Sequence, residues 1–374
     1  MRTAVLGAGA VGVTAAADLA ARGASVVVYE RGAVAAGSSG RASGLCYDAY
    51  ADRIDAAVGA RALERFRERS DTSGFAFTDC PYVWLARGGD DRRADAIREG
   101  VDRMREHGRE VSLLDSGALA ARFPLLETDD VAVAAVAENA GYVDPAAYTE
   151  ATADRAREAG AEIRTHTPAS LRLDGSPVVS TGHGEESFDA VLVATGAHTG
   201  NVLADAGVPV PLKPYRVQAL VTRATPLRDD LPMLFDASGG YYLRPYGRGL
   251  LVGDGTEPVE RDPDDWDRAA DDWFVADCAD YLATGVGRTF GVDRAWAGLC
   301  TATPDGDPLL GECAPGVYVA AGWQGHGFMR APALGEVAAE QVLGGDGIDH
   351  FSPARFDGDE DFDIVEGMDV ARDE

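Results

Sequence analysis

"RTAVLGAGAVG", Arg2 to Gly12, decides the fold. Thr3 to Leu6 read as a short buried strand, and a glycine-rich turn ends it. A helix follows from about Val11 to Ala21 and stops at Gly23. "SVVVYE", Ser25 to Glu30, is then a second buried strand. Gly7, Gly9 and Gly12 carry the GxGxxG spacing inside this strand–helix–strand unit. Gly7 permits the turn. Gly9, with Ala10 and Val11 beside it, lets a pyrophosphate approach the free N–H groups of a helix N-terminus. Gly12 allows the helix to pack closely on the strand. Glu30 ends the second strand 18 residues after Gly12, where a carboxylate accepts ribose hydroxyls, and Arg31 follows it. An acid at that place argues against a 2′-phosphate. It does not separate NAD from FAD.

Later segments make the separation. "GSSGRASG", Gly37 to Gly44, stands where a simple NAD domain has a helix. Its small and hydroxyl residues suit a loop along an extended cofactor, with Ser38, Ser39, Arg41, Ala42, Ser43 and Gly44 in contact. The buried strand Ala190 to Ala194 runs into a Thr195–Gly196 turn. "VYVAAGWQGHGFMRAPALGE" repeats the motif of strand, glycine turn and helix. Pro332 is expected in the first turn of that helix, with Leu334, Val337, Ala338 and Val342 on one face. Gly322, Gly325, His326, Gly327, Phe328 and Met329 form the turn. Its helix N-terminus would stabilise the negative charge of a reduced flavin. The cofactor is therefore expected to be FAD.

A chain of 374 residues suggests two domains, or one with a large insertion. The expected class is α/β. A discontinuous Rossmann-like FAD domain (1–51, 140–210, 298–356) carries a mixed, largely antiparallel substrate domain (52–139, 211–297). "DDWDRAADDWFVADCADYLA" reads as a helix-like acidic interruption of the substrate strands. The tail 357–374 has nine acids and one Arg, no periodicity, and is expected to be disordered.

The net charge is -28, with 62 acids against 34 basic residues, of which one, Lys213, is a lysine. An even acidic coat repels nucleic acid and anionic membranes. It suits a salt-accumulating cytoplasm, where salt screens self-repulsion. The five cysteines are widely spaced without CxxC, so neither a disulfide framework nor a metal site is expected. The opening apolar run is interrupted by Asp18 and is better explained by its glycines than as a signal peptide. No run of 18 apolar residues predicts a transmembrane span.

On "GAGAVG…VVVYE", "GSSGRASG", "GYVDPAAYT", "DAVLVATGA", "YYLRPYGRGLLVG", "WAGLCTATPDGDPLLG" and "GHGFMRAPALGE", the chain resembles the D-amino-acid oxidase superfamily, in its glycine oxidase and sarcosine oxidase branch. The resemblance implies FAD roofed by a sheet domain. It implies oxidation of a small amine or amino acid (glycine, sarcosine, a D-amino acid or an opine-like compound) by hydride transfer to flavin N5. Oxygen, a quinone or a carrier protein would take the electrons. Two other functions stay open: a flavin-bearing assembly factor or complex subunit without catalysis, and an FAD-dependent 2-hydroxy acid dehydrogenase.

The substrate end departs from the family. The position of the flavin-linked Cys in sarcosine oxidases is Gly298 here, so the flavin is expected to be non-covalent. Cys300 stands at the family's carboxylate-binding Arg, and a thiol cannot replace a bidentate guanidinium. It is expected on the pocket wall, with strand filler and a flavin link as the alternatives. Met329 stands where sarcosine oxidases carry a Lys. Tyr242 matches the family's substrate-site Tyr. Arg244, two residues on and on the same strand face, is the favoured carboxylate anchor, with Arg330 and Arg41 as alternatives.

Overall fold

The structure is a computed structural model describing residues 1–70, 74–226 and 230–365. Arg2–Leu6 lies inside a six-stranded sheet, flanked in parallel by Ser25–Tyr29 and Ala190–Val193. Glu162–Arg164 and Val317–Ala321 extend the parallel set, and Leu309–Ala314 closes one edge antiparallel. Both faces are covered, which is why these strands read as unbroken apolar runs. One face packs Val5, Val26 and Val28 with the helix Ala10–Ala21, itself flanked by Pro145–Glu158 and Gly327–Val342. The other packs Leu6, Val27 and Val193 with Leu171 and Val179 of a small three-stranded sheet.

The glycines have separate tasks. Gly7 has φ +103, and a Cβ there would stand 2.5 Å from the Ala194 carbonyl oxygen. A Cβ at Gly12 would collide with the Gly7 carbonyl, so Gly12 serves packing.

The second sheet has eight strands, in the order Val292–Ala302, Lys213–Thr222, Gly249–Glu260, Tyr241–Tyr246, Met233–Asp236, Tyr82–Arg87, Val131–Ala137 and Val111–Leu114. One pairing, Met233–Asp236 with Tyr82–Arg87, is parallel. Alternation divides its faces. Leu220, Leu243 and Val252 pack under the helix Asp272–Gly285, while Tyr215, Val217 and Ala219 face a cavity between the sheets.

Four expectations are corrected. Val292–Ala302 continues as one strand past residue 297, the expected end of the substrate segment. The acidic helix begins only at Asp272. Before it, the buried Arg216 takes the carbonyls of Asp267 and Ala269, which are therefore not available to a helix. Pro332 lies inside the helix Gly327–Val342, not in its first turn, because that helix starts immediately after His326. Residues 357–365 lie against the body and are not a free tail. Lys213 Nζ donates to Asp361 at 2.9 Å and sits 4.6 Å from the Phe362 ring centre, and Gln324 donates to the Val365 carbonyl. The chain's one lysine thus holds down acidic residues that would otherwise repel the surface. The rest of the predicted tail, 366–374, lies outside the described residues.

Candidate active site

A cavity of about 620 Å3 runs between the two sheets. That is ample for a cofactor, since ligand pockets span roughly 300–1,000 Å3. At one end the Glu30 carboxylate accepts from Ala8 N at 2.9 Å and Gly32 N at 2.7 Å, which orients it into the cavity. Arg31 pairs with Asp264 at 2.9 Å. The lining then passes Gly7, Gly9, Ala10 and Val11 at the N-terminus of the first helix. The bare Gly9 leaves room for Ser39, whose Oγ accepts from Ala10 N at 2.9 Å. Ser38 Oγ donates to the Leu299 carbonyl at 2.6 Å, tying the loop to the roofing sheet. Arg41 donates to the Ala36 and Gly37 carbonyls at 2.6 and 3.2 Å. Ala42, Ser43, Gly44, Thr195 and Gly196 complete this wall.

The second helix N-terminus enters the same cavity. Gly325, Gly327, Phe328 and Met329 line it. The turn is fastened to the roof: Gln324 N donates to the Thr301 carbonyl at 2.9 Å, and Gly322 N to Thr301 Oγ1 at 3.2 Å. Gln324, at φ +48, and Gly322 and Gly325, at φ +78 and +83, give the turn its shape. Gly12, Gly322 and His326 stand off the lining. A Cβ at Gly322 would lie 2.5 Å from Thr303 Cγ2, and His326 Nδ1 lies 3.0 Å from the Gln324 carbonyl. Both brace the turn.

Two helix N-termini, a carboxylate at one end and glycines where side chains would intrude fit an extended dinucleotide. The family description "FAD dependent oxidoreductase" matches residues 2–341. The chain belongs to that family. It is 28% identical to 4-methylaminobutanoate oxidase (formaldehyde-forming) from Paenarthrobacter nicotinovorans, over 92% of this chain and 44% of that protein. It is 27% identical to glycine oxidase from Geobacillus kaustophilus, over 91% and 92%. The chain thus spans less than half of the first relative and nearly all of the second. The crystal structure of L-proline dehydrogenase from P. horikoshii superposes with a TM-score of 0.87 at 29% identity, over 95% of this chain and 97% of that one.

FAD is the cofactor of this family. Tyr242 and Cys300 both line the cavity. The Tyr242 ring lies where a Gly253 side chain would be. Burial first, and the Asp254 charge second, push its phenol well above the usual range.

Arg244 and Arg330 are not on the lining, which corrects both as substrate anchors. Arg244 is 2% exposed and donates to the Ser43 and Pro245 carbonyls, between the rings of Tyr142 and Tyr246, each 4.9 Å away. The strand face it shares with Tyr242 continues under the Ser43–Gly44 loop, which stands between Arg244 and the cavity lining. Arg330 is buried in an ion pair with Asp55, a residue of the helix Arg53–Arg69. Arg41 remains on the wall, near Arg268; burial first and Arg268 second lower its affinity for a proton.

Asp254, Thr256, Trp266 and Arg268 line the cavity without having been picked out from sequence. The acid that ends the apolar run in "GLLVGDGTE" was the available signal for Asp254. Trp266 and Arg268 sit on the segment before Asp272, which reads as helix in one dimension. It is held in place by Arg216 at one end, through Asp271 at 2.7 Å, and at the other by Asp264 with Arg31 and His198. Among the described residues no helix is long and apolar enough to cross a membrane.

Proposed function

We propose that this chain oxidises the C–N bond of a small amine or amino acid, with non-covalently held FAD as hydride acceptor. The observation that carries the reading is the continuity of one cavity, from Glu30 past two helix N-termini to a roofed corner at Tyr242. Bound there, FAD supplies the two-electron acceptor. The chain supplies position: Glu30 at the nucleotide end, the Ser38–Gly44 loop along its length, and the Gly325–Met329 turn at the flavin end. The relatives' names (4-methylaminobutanoate, glycine and L-proline) support a substrate that carries both an amine and a carboxylate. With Cys300 in place of an Arg, and with Arg244 and Arg330 engaged elsewhere, Arg41 and Arg268 are the proposed carboxylate partners. A carboxylate between them relieves their mutual repulsion.

Anaerobic titration of the flavoprotein with a panel of amines, amino acids and 2-hydroxy acids tests this. Bleaching by an amine is expected. Bleaching by hydroxy acids alone would move the chain to a dehydrogenase of those, and bleaching by none to a non-catalytic flavin-bearing subunit. Acid precipitation should leave the yellow colour in the supernatant. Colour retained on the chain would point to a link through Cys300.

A further inference from the structure

A glutamine in the left-handed region needs a reason, because a Cβ there crowds its own backbone. Gln324 has φ +48 and sits in the turn between Val317–Ala321 and Gly327–Val342. It is 3% exposed and does not line the cavity, while its neighbours Trp323, Gly325 and Gly327 do. Each of its polar groups is engaged. Its N–H donates to the Thr301 carbonyl, and its own carbonyl stands 3.0 Å from His326 Nδ1. Its Oε1 accepts from Thr303 N at 3.4 Å, and its Nε2 donates to the Val365 carbonyl. That last partner comes from residues 357–365, which pass the start of the strand Lys213–Thr222. Lys213 donates there to Asp361 at 2.9 Å and to the Phe362 carbonyl at 2.5 Å. Asp357 N and Gly358 N close on the Glu360 carboxylate at 2.6 and 2.9 Å, and a Cβ at Gly358 would meet the Pro209 carbonyl. The segment is thus shaped by its own hydrogen bonds and seated at both ends.

We propose that residues 357–365 are a strap that positions the flavin-side turn, by holding the Gln324 side chain so that its backbone keeps the left-handed conformation. This rests on the placement of FAD given above and not on the identity of the substrate. Gln324 is a positioning residue, acting through Trp323, Gly325 and Gly327 on the cavity wall. Gly322 and Gly325, at φ +78 and +83, leave the turn many alternative paths, so its shape must be fixed by contacts from outside. Left to itself, the glutamine between them would leave the left-handed region. Its side chain has two printed anchors, and the one at Thr303 is long at 3.4 Å. The strap supplies the other.

The test uses the FAD-loaded chain and needs no substrate. It follows FAD release on dilution, by flavin fluorescence, the visible flavin spectrum, and hydrogen exchange of the amides from Trp323 to Met329. Phe362→Ala and Lys213→Met each loosen the strap, and neither residue lines the cavity. Each should speed FAD release about fivefold, the equivalent of one net hydrogen bond, and raise exchange in the turn by a similar factor. Gln324→Ala removes the anchor and keeps the backbone penalty, so release should rise about tenfold, with the same change of spectrum. Gln324→Gly removes anchor and penalty together, so its release should be slower than that of Gln324→Ala. Adding Phe362→Ala to Gln324→Gly should change nothing further. Wild-type release and wild-type exchange in both strap variants overturn the proposal, as does full additivity of Gln324→Gly with Phe362→Ala. Faster exchange in the turn with wild-type FAD release overturns the placement of FAD against that turn instead.

Discussion

Arg244→Ala separates a structural arginine from a substrate anchor. The guanidinium is almost fully buried, and burial pushes it down to about 10. That displacement corresponds to a burial penalty of about 3 kcal/mol, which alanine releases. Against it stand two charge-assisted hydrogen bonds, to Ser43 and Pro245, at about 1.5–3 kcal/mol each. Two aromatic faces add about 1 kcal/mol each. Alanine also leaves a void under the loop, and voids cost further. The net expectation is a destabilisation of about 3 kcal/mol. Ser43 and Gly44 lie on the cofactor cavity, so FAD affinity should fall as well, while the KM of the remaining holoenzyme changes little. Urea unfolding at fixed KCl, followed by tryptophan fluorescence, gives the first quantity, and flavin fluorescence on titration gives the second. A variant with wild-type stability and FAD affinity but a strongly raised KM would refute this reasoning and return Arg244 to the substrate.

Gly9→Val should give colourless, folded protein. Its backbone, at φ -79 and ψ 174, suits valine, but a Cβ there stands 3.1 Å from Ser39 Oγ and intrudes where the pyrophosphate is expected; full flavin occupancy would contradict the placement. Glu186 is held down to about 2 by hydrogen bonds from Arg164 and then Arg2. A lowered carboxylate stabilises the fold above its unfolded value, near 4.5, and loses that contribution as pH falls towards 2. Glu186→Gln should therefore lose stability at pH 7 and show a shallower decline across that window; parallel curves for the two proteins would exclude it. With a net charge of -28, the melting midpoint should rise in molar KCl relative to dilute buffer, and equal midpoints would remove the halophilic reading.

The cofactor half was legible because its determinants are local. A turn that needs φ +103 requires glycine at position 7, and a helix that abuts it requires glycine at 12. A sheet covered on both faces shows itself as apolar runs. These features occupy consecutive residues, so "GAGAVG", "GSSGRASG" and "GWQGHGF" could be read directly, and the whole-chain family match agrees with them. The last turn was the partial exception: its helix N-terminus was legible, but the place of Pro332 was not.

The substrate corner was settled by packing. Period-2 alternation correctly put Tyr242 and Arg244 on one face, yet one lines the cavity and the other lies under a loop from residues 43 and 44. Arg330 looked available in "GFMRAP" until the fold brought Asp55 to it from 275 residues away. Trp266 and Arg268 reach the cavity on a segment pinned by a buried arginine. Sequence by itself determined the fold class, the dinucleotide cradle and the acidic surface, since each depends on residue type at short spacing or in bulk. Which charged groups face the substrate was decided by tertiary structure alone, because burial and partners come from elements distant in the chain.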